Sequence, residues 1–372
     1  MNISKPQRQI FPDVARVIAI ISISLNHAVN RTYDNYAGQQ AEFLSIPLIS
    51  SVIKALFTVF SHIGVPLFLM ITGVLVLNKR METQDDIKGF YKHNVLSLLI
   101  TTEIWYVIMY WCKVLLDPTC TILADTGLGG ALWGMVKTML FMDQTTYGSM
   151  WYMPMILCLY TTIPFVIIIK DKIKKPAPVL LLPVLLTFLY FMVLPAINSC
   201  IRLNGDPTLT AKVREPNLMS FYYLYVLAGY FIGKGGLARL KDRTVIILTL
   251  LTFGLACAYQ FYAYSCPRNY LIDYDFPLLL ICGGFLFEWI RRKAHKLERM
   301  RRPITYISRI SLGIYFLHII IMVSLTYAMG DWGWNQLWRL LLLEASSLII
   351  SVVVIALLSK IKLLRKYLFL IK

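Results

Sequence analysis

Charge is scarce in this chain, and acidic charge is scarcest. Only 15% of its 372 residues are charged, with 20 Asp and Glu against 37 Lys and Arg, while 58% are hydrophobic. With a mean hydropathy of +0.63, this composition excludes an ordinary soluble globular domain. The seven Cys form no CxxC pair and no metal-ligand spacing, which excludes a zinc module or a dithiol redox centre. A Gly-rich phosphate loop, HExxH, GxSxG and internal repeats are all missing. Five His are present. Any chemistry therefore has to come from polar side chains dispersed through apolar helices.

Long apolar runs are what the chain has instead. Windows of about 20 residues place candidate spans near 12–30, 52–77, 94–115, 151–169, 178–197, 218–233, 244–264, 275–290, 304–328 and 338–359. The expectation is an all-α polytopic bundle of about ten transmembrane helices, forming one domain over residues 1–372. The first run carries Arg16 and His27 and lacks a small-x-small cleavage site, so it reads as an anchor rather than a cleaved signal.

The net charge of +17 invites a nucleic-acid reading until its placement is considered. Basic residues concentrate at Lys5 and Arg8, Lys79 to Lys92, Lys170 to Lys175, Lys234 to Arg243, Arg291 to Arg302 and Lys360 to Lys372. The intervening linkers hold few: Arg31, Lys137, Arg202, Lys212, Arg214 and Arg268. The positive-inside rule then puts both termini in the cytoplasm, and attraction to anionic lipids of the inner leaflet accounts for the basic loops without nucleic acid. The longer linkers, 30–51, 116–150, 198–217 and 265–274, face outward and suit short re-entrant or amphipathic pieces. A disulfide is possible there among Cys120, Cys200 and Cys266.

The first span, IFPDVARVIAIISISLNHAV, holds the most costly polar residues. Arg16 and His27 are eleven positions apart, close to three helical turns, so they share a face about 16 Å apart. Asp13 lies one turn before Arg16, within reach to orient it or to cap the helix after Pro12. Ionisable groups at membrane depth are candidates for function. A cation at the inner mouth can hold a phosphate, and an imidazole deeper in the bundle can take a proton from a hydroxyl. The separation is comparable to the reach of a pantetheine arm.

Further candidates are weaker. Glu103, in LLITTEIWYV, has no partner nearby in sequence and is placed to orient His27. Lys79 and Arg80 follow the second span, where topology explains them and a phosphate contact is a second reading. Trp151 and Tyr152 suit either an interfacial belt or stacking on an acceptor. His318 closes ISRISLGIYFLH, and His62 in FSHIGVPLFLMITG reads as a histidine bonded to a neighbouring helix.

Four segments together resemble the integral membrane acyltransferase-3 family. FPDVARVIAIISISLNH is similar to its D-x-x-R element within Arg-x(10)-His; GVPLFLMITGVLVLNKR resembles its second-helix segment, with Thr72 where Ser is common. MWYMPMILCLYTTIPFV and ISRISLGIYFLH resemble two later blocks, although Met150 stands where a His often precedes the Trp. The overall pattern is closest to the branch that O-acetylates surface polysaccharides such as enterobacterial common antigen. The resemblance implies a multi-pass protein of a bacterial inner membrane. It also implies acyl transfer, commonly acetyl, from cytoplasmic acyl-CoA to a hydroxyl of a surface glycan or polyprenyl-linked sugar, with no bound cofactor or metal. It makes His27 the essential histidine and Arg16 a donor contact. Direct transfer with His27 as base and an acyl-His relay both remain open. An exporter of a glycan or lipid-linked intermediate is the alternative, although the paired repeats of exporters are not found.

Overall fold

The structure, a computed structural model, describes residues 9–33, 40–143, 147–172, 184–203, 220–265, 272–330 and 335–371. The described residues are helical, with no strand among them. In chain order the α-helices are α1 (Phe11–Thr32), α2 (Gln40–Ser45), α3 (Leu48–Ser61), α4 (Gly64–Val76), α5 (Gln84–Phe90), α6 (Ser97–Leu116), α7 (Ile122–Met139) and α8 (Tyr152–Lys172). Then come α9 (Leu194–Leu203), α10 (Tyr222–Gly233), α11 (Asp242–Ser265), α12 (Pro277–Lys293), α13 (Arg301–Met329), α14 (Gln336–Leu358) and α15 (Lys362–Tyr367).

Helix is what these runs must form, because an apolar segment without water can satisfy its backbone N–H and C=O groups only internally. Among the described residues seven helical runs are long and apolar enough to cross a membrane: 11–32, 48–76, 84–116, 148–172, 242–265, 277–329 and 336–358. The ten expected segments map onto these runs unevenly. Those at 275–290 and 304–328 lie on the single run 277–329, where a 3₁₀ segment, Ala294–Met300, joins α12 to α13. The segment at 218–233 is helical over only 12 residues, Tyr222–Gly233, about 18 Å of helix against a ~30 Å apolar layer. The segment at 178–197 is described only from residue 184. The linker at 116–150 contains a full helix, α7, broken at Gly127 where φ is +63°. Cys120 and Cys200 are free thiols, and Cys266 lies outside the described residues.

The helices fall into two compact units, one comprising residues up to 29, 33–78 and 175–311, the other 30–32, 79–174 and 312–372. In the first unit α4 packs on α10 through two glycines. A Cβ on Gly73 would run into the Val226 carbonyl, and one on Gly229 into the Met70 carbonyl, so the backbones themselves are in contact. α12 packs against α10 and α11, and α3 lies on α11. α1 is fastened to the α3–α4 junction by Ser22, whose hydroxyl lies 2.8 Å from the Phe60 carbonyl and 3.0 Å from that of Ser61. Gly64 permits that approach: a Cβ there would lie 2.6 Å from the Ala19 carbonyl oxygen.

In the second unit the Trp105 ring of α6 stacks on Phe316 of α13 at 4.8 Å, and its Nε1 donates to the Leu368 carbonyl at 2.9 Å. Thr101 adds a bond to the Tyr367 carbonyl at 2.7 Å. These bonds hold the end of α15 against α6. α7 and α8 also pack on α6.

Candidate active site

The beginning of α1 builds the most organised polar constellation of the first unit. Pro12 pre-sets the first turn, and Asp13 in that turn complements the helix dipole. Its carboxylate is 1% exposed and is satisfied from α13. Ser308 Oγ donates to Oδ1 at 2.7 Å and Thr305 Oγ1 to Oδ2 at 3.2 Å. Arg16, one turn on, donates to the same Ser308 hydroxyl at 3.0 Å and lies 3.9 Å from Asp13. Ser308 is thus a relay, accepting from the guanidinium and donating to the carboxylate, and it fixes both side chains.

Arg16 remains partly exposed, 24% for its side chain, on a cavity of about 540 Å³. Asn78 from the end of α4 and Lys234 from the end of α10 line the same cavity, together with Asp13, Phe11 and Val74. The turn after Lys234 is clamped from α12. Arg292 donates to the carbonyls of Leu237 and Leu240, both at 2.7 Å, and to Asp242 at 2.8 Å. Its Nε is held by Glu288 at 2.6 Å, a carboxylate with no exposed surface that also binds Arg291. Two cations, an amide and a carboxylate held aside by hydroxyls make a mouth suited to an anionic ligand such as a phosphate.

His27 lies about 16 Å further along α1 and is half-buried. The preceding residue, Asn26, donates to Ser61 Oγ at 3.1 Å and stands 3.5 Å from Nε2 of His62.

The other expected site residues belong to the second unit. Glu103 is half-buried on α6, and its Oε2 is buried without a hydrogen-bond partner among the described residues. Trp151 and Tyr152 flank the junction of a 3₁₀ turn with α8, their rings perpendicular at 6.0 Å. Tyr152 meets Tyr315 at 5.7 Å; Tyr315 donates to the Ser149 carbonyl at 2.5 Å and lies 6.2 Å from the His318 ring. His318 has no exposed surface, and its Nδ1 donates to the Ile314 carbonyl at 2.9 Å. Lys79 and Arg80 stand apart from that cluster. Lys79 lies over the Phe90 ring at 5.2 Å, and Arg80 is largely exposed beside Glu82. Among the described residues no three His, Cys, Asp or Glu come together as metal ligands.

Register alone joins Asp13 to Arg16. Ser308, Thr305, Asn78 and Lys234 escape a sequence reading: the first two are hydroxyls on a helix almost 300 positions away, and the last passes for a topogenic lysine.

Seven membrane-length helical runs among the described residues, with cationic groups collected in a cavity beside the first of them, define a multi-pass membrane protein with a built polar site. The chain belongs to the acyltransferase-3 family, matching its acyltransferase domain over residues 9–360, nearly the whole length. It is therefore an acyltransferase. No curated protein and no solved structure matches it.

Proposed function

We propose that the protein moves an acyl group, acetyl by preference, from cytoplasmic acyl-CoA to a hydroxyl of a surface glycan or polyprenyl-linked sugar at a bacterial inner membrane. The observation that carries this reading is the Asp13–Ser308–Arg16 relay opening on a cavity shared with Lys234 and Asn78, at one end of the helix that carries His27. Arg16 and Lys234 hold the donor's phosphates. The pantetheine arm runs along α1 toward His27, which takes the proton of the acceptor hydroxyl as its oxygen attacks the thioester carbonyl. A C–O bond forms, the C–S bond breaks, and the proton passes from His27 to the departing thiolate. The roles of Glu103, Trp151, Tyr152, His318, Lys79 and Arg80 belong to the same proposal and rest on the sequence alone.

Mass spectrometry of the surface glycan from cells carrying wild-type or His27→Ala protein tests it. Loss of glycan acylation at unchanged glycan yield is the expected result. Unchanged acylation with less glycan at the surface would replace the reading by export. Incubation with labelled acetyl-CoA alone separates the two chemistries, since only a relay through His27 leaves label on the protein.

A further inference from the structure

A second cavity adjoins the one at Arg16. Its volume of about 300 Å³ lies between Gln9 and Phe11, at the start of α1, and Arg291, His295, Glu298 and Arg301, where the 3₁₀ segment joins α12 to α13. Gln9 and Phe11 line both cavities, so the two share a wall. Phe11 meets Phe287 of α12 edge-on at 5.9 Å, which fixes that wall. A ligand longer than the first cavity, leaving it past Gln9, meets the second.

The lining of this second cavity is cationic, with one carboxylate. Arg291 gives Nε and Nη2 to Glu288, at 2.8 and 2.9 Å, and keeps Nη1 outside that pair. Glu288 also accepts from Arg292, so one buried carboxylate serves two guanidiniums and positive charge is left over. Arg301 is forked on Glu298 at 2.6 and 2.5 Å. That carboxylate is 46% exposed, so the pair is a surface one of small net worth, which a dianion can displace from the fork. His295 donates through Nδ1 to the Arg292 carbonyl at 2.8 Å, which holds its ring at the rim. Topology accounts for basic residues in this linker but not for their division: Lys296 and Arg299 are exposed and off the cavity, whereas Arg291 and Arg301 are half-buried on it. Two guanidiniums on separate helices, lining one cavity, suit a phosphate monoester with its three oxygens.

Acyl-CoA carries phosphate at two places, the pyrophosphate that bears the pantetheine arm and a monoester on the 3′ oxygen of its ribose. We infer that the second cavity is the subsite for the 3′-phosphate, with Arg301 and Arg291 as its contacts and Glu298 as the group it displaces from Arg301. The inference rests on the proposed seating of the donor at Arg16 and Lys234. It lets the protein select CoA over carriers that have the same arm without the 3′-phosphate.

The test measures binding of acetyl-CoA and of acetyl-3′-dephospho-CoA to the purified full chain by calorimetry. Wild type should favour acetyl-CoA by about tenfold or more, the worth of charge-assisted hydrogen bonds to one phosphate. Arg301→Gln should narrow that ratio to about twofold, with affinity for the dephospho donor held within about twofold of wild type. Glu298→Gln, which releases the Arg301 fork, should widen the ratio, an outcome that damage to the fold does not produce. Arg299→Gln removes the same charge off the cavity and should leave the ratio as in wild type. A wild-type ratio near one, an unchanged ratio in Arg301→Gln, a narrower one in Glu298→Gln, or equal narrowing by Arg299→Gln each overturns the subsite. The headgroup of an anionic lipid offers the same chemistry, and native mass spectrometry separates it. Loss of retained phosphatidylglycerol in Arg301→Gln, with the donor ratio unchanged, would give the cavity to lipid and overturn the inference. A wild-type protein that binds neither donor would instead sink the donor reading and take the subsite with it.

Discussion

Asp13 shows how one carboxylate can orient a cation through a shared hydroxyl. Its two oxygens accept from Ser308 and Thr305, and Arg16 donates to the same Ser308 hydroxyl, so the guanidinium is oriented at the cavity wall. Ser308→Ala removes the relay and leaves a buried carboxylate short of a donor, at a cost of about 1–3 kcal/mol in stability. The expected catalytic signature is a Michaelis constant for acetyl-CoA raised by about five- to tenfold with kcat changed less, read as thiol release by the purified protein. An unchanged constant would remove Arg16 from the donor site. Lys234→Gln should raise the same constant with a melting temperature within a few degrees of wild type, because the residue lines the cavity and gives up only a contact of its ammonium with the Tyr230 ring at 5.6 Å. The pairing of Asp13 with Arg16 was legible from their i,i+3 spacing on an apolar helix. Ser308 was not, because hydroxyls are common in such helices and only the fold brings residue 308 to residue 13. His62 reads from the sequence as bonded to a neighbouring helix. Asn26 of α1 does stand 3.4 Å from its Nδ1, but the shorter contact, 2.7 Å, is to the Thr58 carbonyl one turn back on the same run.

At the scale of elements, the cavity depends on how closely α4 and α10 approach, since the ends of these helices carry Asn78 and Lys234. Gly73 and Gly229 set that approach, each facing a carbonyl of the opposite backbone. Backbone cannot swing aside as a side chain does, so Gly73→Ala or Gly229→Ala should force the helices apart and cost about 1–3 kcal/mol or more. The donor Michaelis constant should rise with it. Gly254→Ala on α11 is the control: a Cβ there meets nothing within 4 Å, and alanine should stabilise the helix by up to about 1 kcal/mol. Thermal unfolding in detergent ranks the three, and a Gly73→Ala protein as stable as Gly254→Ala would contradict the packing argument. Hydropathy made most long helices legible, because burial in lipid and burial in protein select the same residues. It blurred where the two differ. α10 is apolar but only 12 residues long, and α7 hid in a Gly-rich linker whose break at Gly127 interrupts the pattern.

For the whole molecule, the orientation in the membrane decides whether the site can meet its donor. Acyl-CoA is a cytoplasmic anion, so the cavity at Arg16 has to open on the cytoplasmic side for the proposed reaction to occur. The asymmetry of Lys and Arg among the linkers predicts that orientation, with the α4–α5 linker inside and the α6–α7 linker outside. Cys120, a free and half-buried thiol between α6 and α7, supplies a native probe for the outer side. Glu82→Cys, on the exposed linker after α4, supplies one for the inner side. In intact spheroplasts a membrane-impermeant maleimide should modify Cys120 directly and the cysteine at position 82 only after permeabilisation, the remaining cysteines being replaced by Ser or Ala. The reverse pattern would turn the Arg16 cavity away from the only compartment that holds acyl-CoA. Transfer along α1 toward His27 would then be impossible, however well the phosphates fitted the cavity.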